Sequence, residues 1–171
     1  MILRRALIVL ALAAAPCAAL AQADGDGPIA RTAPAGPPPQ TAAESFLATN
    51  AKVTGVKTTA SGLQYKITKS GPADGVPPTL SEGVAVNYEG SLTSGQVFDS
   101  TYQRGQPAAF GVAEVVPGWT EVLQLMRPGD EWVVYLPPEL GYGSRSTGPI
   151  PANSVLVFRM ELLQVLKRRG E

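Results

Sequence analysis

The stretch "VNYEGSLTSGQVFDSTYQRG", residues 86–105, decides how the fold of this chain is read. Its residues form two β-type runs on either side of Ser94 and Gly95, a pattern typical of antiparallel strands joined by a tight turn. In the second run Asp99 directly follows Val97 and Phe98. A carboxylate in an apolar run is unfavourable unless a partner compensates it. Asp99 is therefore the first candidate for a functional residue.

The length and the charge of the chain narrow its class. Its 171 residues are enough for one domain and too few for two of ordinary size. The 14 Lys and Arg residues balance the 14 Asp and Glu residues, so no net field attracts nucleic acid or an anionic lipid surface. We therefore expect no nucleic-acid partner.

Residues 1–21 have the organisation of a signal peptide. Arg4 and Arg5 precede an apolar run at residues 6–15, and "ALA" at residues 19–21 is a small-x-small cleavage site. The apolar run is too short to cross a bilayer. The segment predicts export to a periplasm, with cleavage after residue 21. The alternative is lipid attachment at Cys17, which would anchor the chain to a membrane.

The mature chain would contain neither cysteine nor histidine, because Cys17 is the single cysteine and the sequence has no histidine. Disulfides, thiol nucleophiles, imidazole bases and the common zinc ligand sets are then excluded. We expect neither a metal site nor a cofactor. Any reaction must proceed without these groups.

Residues 22–42 are predicted to be a disordered linker. Five of them are proline and three are glycine, so the segment cannot bury a core. A short helix is expected at residues 43–55, because Thr41 and Glu44 have the spacing of a capping box and Gly55 ends the pattern. The apolar stripe of this helix is thin, which suits a lid packed on a domain.

The pattern from residue 56 to residue 171 predicts one α+β domain. Apolar residues recur with a period of two in several segments, which indicates strands. The clear examples are residues 63–67, 84–88 and 154–166. Residues 118–130 have instead the apolar spacing of a helix. We expect an antiparallel, curved β-sheet wrapped around one short α-helix and preceded by the short N-terminal helix.

Five sequence blocks carry a resemblance to a known family. In chain order they are "VNYEG", "GQVFDSTY", "VVPGWTEVLQLM", "PPELGYG" and "IPANSVLVFRMELL". At these spacings they resemble the FKBP-type peptidyl-prolyl cis/trans isomerases. The preceding "GVKTTASGLQYKI" resembles the bacterial exported members of that family. The resemblance spans nearly the whole predicted domain.

The resemblance implies an aromatic-walled pocket. Trp119 would form its floor, and Asp99 would lie at its rim, paired with Arg104 and with the Tyr88 hydroxyl. The Tyr142 hydroxyl would bind a substrate carbonyl, so the implied catalytic residues are Asp99, Tyr142 and Trp119. Besides Tyr88 and Arg104, the implied substrate-binding residues are Phe98, Phe110, Val115, Val116, Ile150 and Phe158.

Two features depart from the small eukaryotic members of the family. Ala108 stands where those members carry a phenylalanine, so one side of the pocket should be more open. The loop "SRST", residues 144–147, lacks the histidine that they carry there. Tacrolimus and rapamycin are ligands that the resemblance implies, and both departures bear on their affinity. Taken singly, the aromatic residues would fit an ordinary core equally well.

Rotation about an X–Pro bond suits a chain without histidine and cysteine. Its barrier of ~18–20 kcal/mol comes from amide resonance, and no bond has to break. The predicted function is a peptidyl-prolyl cis/trans isomerase that assists the folding of exported proteins, with proline-containing unfolded or newly exported polypeptides as partners. The alternatives are a periplasmic holdase chaperone and a proline-peptide binding module with little turnover. A monomer is expected, because the chain has no room for the dimerising helical domain of exported relatives with chaperone activity.

Overall fold

The computed structural model describes residues 41–167. The predicted signal peptide and nearly all of the predicted linker lie outside the described residues. The α-helices are α1 (Ala42–Asn50), α2 (Thr101–Arg104) and α3 (Pro117–Leu123), and short 3-10 turns occupy Val112–Glu114 and Pro138–Leu140. The strands are β1 (Val56–Thr58), β2 (Gln64–Lys69), β3 (Gly83–Leu92), β4 (Val97–Ser100), β5 (Ala108–Gly111), β6 (Glu131–Leu136) and β7 (Leu156–Leu166).

The strands form one antiparallel sheet in the order β1-β2-β6-β7-β3-β4, and β5 also pairs with β3. The long strands β3 and β7 lie side by side at its centre, where Gly90 is opposite Phe158. The turn predicted at Ser94 and Gly95 joins β3 to β4, and Gly95 adopts the positive φ of 88° that this turn needs. The predicted α+β class with an antiparallel sheet is confirmed.

The core lies between one face of the sheet and α3. Along β6, the buried side chains of Trp132, Val134 and Leu136 alternate with less buried ones, as expected for a strand with one face covered. Helix α3 contributes Val122 and Leu123, neither of which is exposed to solvent. One continuous apolar cluster joins these residues to the buried faces of β3 and β7.

Helix α3 is shorter than the sequence pattern indicated. It begins at Pro117, whose missing N–H is tolerated in the first turn, and it ends at Leu123. The N–H groups of Leu125 and Met126 still bond the carbonyl of Val122, at 2.9 and 3.1 Å, so the chain continues in a turn beyond the helix. This non-helical turn buries Met126 completely, so the apolar pattern extends beyond the helix.

Helix α1 begins with the predicted capping box. The Thr41 N–H donates to Glu44 Oε2 at 2.7 Å, and the Glu44 N–H donates to Thr41 Oγ1 at 3.2 Å. The helix ends at Asn50, and a turn leads to Gly55, which has a φ of 86°. Within residues 41–167 no helix is long and apolar enough to span a membrane.

Helix α1 packs on the sheet face opposite the core. Its Phe46 ring lies 6.1 Å from the ring of Tyr135, which points away from the core residues of β6. The Asn50 side chain donates to Gln64 Oε1 at 2.8 Å, and the Gln64 side chain donates to the Leu47 carbonyl at 2.9 Å. These bonds compensate the burial of both amides, and they fix the helix as a cover over β2 and β6.

Candidate functional site

The floor of the candidate site is Trp119, in the first turn of α3. Pro117 starts the helix immediately before it. Gly118 lets this turn approach the sheet, because a Cβ at this position would lie 2.6 Å from Leu136 Cγ and 3.1 Å from the Leu140 carbonyl oxygen. The Trp119 side chain is consequently pressed into the core side of the sheet and is only 4% exposed.

Three aromatic rings meet Trp119 edge to face. The centroid of its ring lies 4.9 Å from that of Tyr88, 5.2 Å from that of Phe158 and 5.6 Å from that of Phe110, with interplanar angles of 83–89°. Edge-to-face contacts at these distances are favourable for aromatic quadrupoles. The result is a rigid apolar floor, assembled from β3, β5, β7 and α3.

Phe98 completes one side of this aromatic group. Its ring lies edge to face on Phe158, with centroids 5.7 Å apart. The contact depends on Gly90 of β3, because a Cβ there would lie 2.6 Å from Phe98 Cε2 and 2.7 Å from Phe158 Cε1. Such distances are too short for carbon atoms, so only glycine leaves space for both rings at this position.

The rim is less buried than the floor. Val115 and Val116 precede α3, and Val116 is the residue before its first turn. Both are partly buried and pack against the apolar core, as does Ala108 of β5. Ile150 is buried in a loop closed by hydrogen bonds between Thr147 and Ile150. No hydrogen-bond acceptor for the Val116 N–H lies among the described residues.

The charged part of the site is a closed network of three side chains. The Tyr88 hydroxyl donates to Asp99 Oδ2, and Arg104 Nη1 donates to Asp99 Oδ1. Arg104 Nη2 also donates to the Tyr88 hydroxyl at 3.3 Å, and its guanidinium lies 5.7 Å from the centre of the Tyr88 ring. Asp99 therefore has the two partners that the sequence indicated, and its position beside Phe98 is compensated.

The network forms because the chain turns back within five residues. Asp99 lies near the end of β4, and α2 follows at once. The Ser100 side chain accepts a hydrogen bond from the Gln103 N–H and so caps α2. Gly105 ends the helix in the left-handed conformation, with a φ of 70°. This single helical turn returns Arg104 to the carboxylate of Asp99.

The tyrosine hydroxyls of the site are held protonated. Burial, followed by the hydrogen bond to Asp99, raises the pKa of Tyr88 to about 12, although Arg104 opposes the shift. Burial also raises the pKa of Tyr142, and the negative charge of Asp99 raises it further. Arg104 has a raised pKa as well, chiefly because it donates to the Tyr88 hydroxyl.

Tyr142 lies in the loop after the second 3-10 turn. The Gly143 N–H bonds the Pro138 carbonyl at 2.7 Å, and this contact folds the loop back toward the core. The ring packs against the apolar core. No hydrogen bond of its hydroxyl to residues 41–167 is found, and the charge of Asp99 is felt at this hydroxyl.

Of the eleven residues that the sequence analysis named, seven are joined by direct contacts: five through their aromatic rings, and Asp99 and Arg104 through the Tyr88 hydroxyl. The other four, Val115, Val116, Tyr142 and Ile150, belong to or pack against the apolar core of the domain. The sequence analysis missed the supporting residues Gly90, Gly118 and Thr101. An isolated glycine in a strand pattern was the available signal for Gly90. In the described part of the chain, no group of three or more His, Cys, Asp or Glu residues could hold a metal ion.

Comparison with known proteins gives the same family throughout. A sequence profile described as FKBP-type peptidyl-prolyl cis-trans isomerase matches residues 76–163. A second profile, described as the domain amino terminal to FKBP-type peptidyl-prolyl isomerase, matches residues 32–67. This second match covers α1, β1 and the start of β2.

Two curated relatives are close in sequence. The peptidyl-prolyl cis-trans isomerase Mip of Coxiella burnetii is 48% identical over 125 residues, which are 72% of this chain and 54% of the relative. The outer membrane protein MIP of Legionella longbeachae is 47% identical over 125 residues, 72% of this chain and 53% of the relative. The chain thus spans about half the length of these curated relatives.

A solved structure matches over nearly its whole length. The peptidyl-prolyl cis-trans isomerase of Pseudomonas syringae pv. tomato superimposes with a TM-score of 0.68 at 33% sequence identity. The match covers 74% of this chain and 92% of that one. The chain belongs to the FKBP-type peptidyl-prolyl cis-trans isomerase family.

Proposed function

We propose that this chain catalyses cis/trans isomerisation of X–Pro peptide bonds in unfolded or newly exported polypeptides. The observation that carries the proposal is the buried aromatic group around Trp119, which the Tyr88–Asp99–Arg104 network adjoins. A proline ring is apolar and compact, and it fits a site walled by aromatic rings. The proposed roles are substrate contact for Trp119, Tyr142 and the Val116 N–H, positioning through charge for Asp99 and Arg104, and pocket walls for the remaining named residues.

The proposed mechanism requires no proton transfer and no nucleophile. The planar amide is stabilised by resonance, which separates charge between its oxygen and nitrogen atoms. A twisted amide loses this charge separation. Compared with water, an apolar site therefore lowers the free energy of the twisted form relative to the planar form. The Val116 N–H and the Tyr142 hydroxyl would hold the carbonyls beside the proline while the bond turns.

Asp99 acts in this mechanism through position and charge. Both of its oxygens already accept hydrogen bonds, one from the Tyr88 hydroxyl and one from Arg104. The network keeps the Tyr88 ring upright against Trp119 and keeps the rim beside Phe98 in place. A general-acid role would require Asp99 to offer a free proton donor, whereas both of its oxygens already accept hydrogen bonds.

The two tryptophans provide a matched test of the proposed site. Trp119 and Trp132 are both 4% exposed, and the indole N–H of each lacks a partner within the described residues. Trp132 instead stacks on Tyr65, with centroids 4.5 Å apart. We expect Trp119→Phe to lower kcat/KM for a Leu-Pro peptide at least fivefold, a ΔΔG‡ of about 1 kcal/mol. Trp132→Phe should leave kcat/KM within a factor of two.

The assay is exchange NMR or a coupled assay on a short Leu-Pro peptide, with folding checked by circular dichroism. Wild-type protein that binds the peptide without accelerating isomerisation would identify a binding module or holdase instead. Equal losses in Trp119→Phe and Trp132→Phe would contradict the site. Tacrolimus should compete with the peptide. Its affinity should differ from that for the small eukaryotic members, because Ala108 is smaller than the phenylalanine that they carry at this position.

We further propose that the protein works outside the cytoplasm. The signal-peptide pattern of residues 1–21 supports export. A relative that matches most of the domain is named an outer membrane protein. Fractionation of expressing cells, with mass spectrometry of the mature N-terminus, distinguishes cleavage after Ala21 from lipid attachment at Cys17. Recovery of the uncleaved chain from the cytoplasm would contradict export.

A further inference from the structure

The β3–β4 strand pair, whose residues carry the charge network, ends before Tyr88 of β3 has a partner on β4. The final β3–β4 pair is Glu89 with Ser100. The next residue on β3 is Tyr88, but β4 has already turned into α2 and offers no strand residue there. An unpaired N–H and carbonyl at this buried position would be unfavourable.

One side chain takes the place of the missing strand partner. The Tyr88 N–H donates to Thr101 Oγ1 at 2.8 Å. The Thr101 hydroxyl in turn donates to the Tyr88 carbonyl at 3.1 Å, with Asn87 Oδ1 as a second acceptor at 3.4 Å. Thr101 is 1% exposed, so water cannot replace it. Its single hydroxyl serves both backbone groups of Tyr88.

Tyr88 is consequently held at both ends by one short segment. Its backbone is held by Thr101, and its hydroxyl is held by Asp99 and Arg104. These three residues lie within six positions of the sequence, on the β4–α2 turn. A shift of that turn relative to β3 would move the Tyr88 hydroxyl and the Asp99 carboxylate apart, and would tilt the ring that meets Trp119.

We propose that Thr101 is a positioning residue for the isomerase site: its hydroxyl replaces a missing β-ladder pair and sets the geometry of the Tyr88–Asp99–Arg104 network. It would act on the substrate only through Tyr88 and Asp99. The proposal rests on the proposed isomerase function. Without this role, the buried Thr101 hydroxyl would contribute only to the stability of the fold.

The test compares variants with and without this hydroxyl. Thr101→Val keeps the volume and removes the hydrogen bonds to the Tyr88 backbone and to Asn87, whereas Thr101→Ser keeps the hydroxyl. For folded protein we expect Thr101→Val to lower kcat for a Leu-Pro peptide about tenfold with little change in KM, and Thr101→Ser to recover most of the loss. Thr68→Val is the control, because the Thr68 hydroxyl bonds the Glu131 carbonyl at 2.7 Å on an exposed part of β2.

A double-mutant cycle separates positioning from general stability. In a Tyr88→Phe background the hydroxyl contact to Asp99 is already gone, so Thr101→Val should lower kcat by no more than about twofold there. A merely structural role would give the same factor in both backgrounds. If Thr101→Val does not fold, Thr101→Cys tests the same point, because a thiol is a weak donor and acceptor of similar size.

The outcomes distinguish this inference from the proposed function. Wild-type turnover together with full turnover by folded Thr101→Val would overturn the positioning role alone. Equal effects of Thr101→Val in the two backgrounds would also overturn it. A folded wild-type protein that does not accelerate isomerisation would overturn the proposed function, and the positioning role with it.

Discussion

Replacing Gly90 with alanine tests how the wall of the proposed pocket is built. A Cβ at this position would lie 2.6 and 2.7 Å from two carbons of Phe98 and 2.7 Å from Phe158 Cε1. Carbon atoms in contact are normally about 3.5–4.0 Å apart. Both rings must therefore retreat by about 1 Å, or β3 must move away from its neighbours.

The size of the effect follows from overpacking and from the unfolded state. Overpacking of this kind costs about 1–3 kcal/mol. Replacing glycine also lowers the conformational entropy of the unfolded chain, which offsets about 0.4–1 kcal/mol of the destabilisation. We expect Gly90→Ala to destabilise the domain by about 1–2 kcal/mol and to lower its Tm by about 3–8 °C. Because Phe158 also contacts Trp119, kcat/KM for a Leu-Pro peptide should fall together with stability.

The measurements are chemical denaturation and an isomerisation assay on the same preparations. Gly83→Ala is the matched control on β3, because a Cβ there would have its nearest contact at 3.3 Å, with the Phe110 carbonyl oxygen. It should have a smaller effect on both quantities. The double variant Gly90→Ala/Phe98→Leu should regain part of the lost stability. Wild-type stability and turnover in Gly90→Ala would refute the reasoning.

Four further predictions concern the Tyr142 hydroxyl, the pH dependence of turnover, the pH dependence of stability, and the substrate. Tyr142→Phe should lower kcat/KM by the equivalent of one neutral hydrogen bond, ~0.5–1.5 kcal/mol, in a peptide assay, and an unchanged value would remove the hydroxyl from the mechanism. Turnover should be constant from about pH 6 to 8.5, where no histidine or cysteine titrates, and a limb near neutrality would point to a general acid. Folding raises the pKa of Tyr88 to about 12, from an ordinary value near 10. The stability linked to this hydroxyl is therefore fully present below pH 10 and is lost as the pH rises through 12. Tyr88→Phe should reduce this alkaline loss of stability in thermal scans. In a matched peptide series Leu-Pro should turn over faster than Glu-Pro, because leucine buries apolar surface at the rim while glutamate brings a charge toward Asp99.

Much of the fold follows from local sequence signals. The capping box of α1 forms between Thr41 and Glu44 because it needs only residues three apart. The turn at Gly95 forms because glycine readily adopts its positive φ. The alternation along β7 marks its buried face because successive side chains of a strand point to opposite sides. Each signal is local, and each is therefore visible before the chain is folded.

The C-terminal end of helix α3 does not follow from local sequence signals. The apolar period continues through Met126 even though the helix ends at Leu123, because a turn can bury the same side chains. The four-residue helix α2 has no apolar stripe to indicate it. It exists because Ser100 caps it, Gly105 ends it and Asp99 holds Arg104. Short elements of this kind are stabilised by contacts with other parts of the chain.

The sequence alone determined which chemistry was possible and which residues could take part. The missing histidine excluded imidazole chemistry, the predicted cleavage would remove the single cysteine, and the five blocks predicted an isomerase site. Only the tertiary structure decided how the site is held. Gly90 makes room for two rings from other strands, and Thr101 pairs with a backbone thirteen residues away. Such roles depend on distances between segments remote in sequence, and a one-dimensional pattern carries no information about those distances.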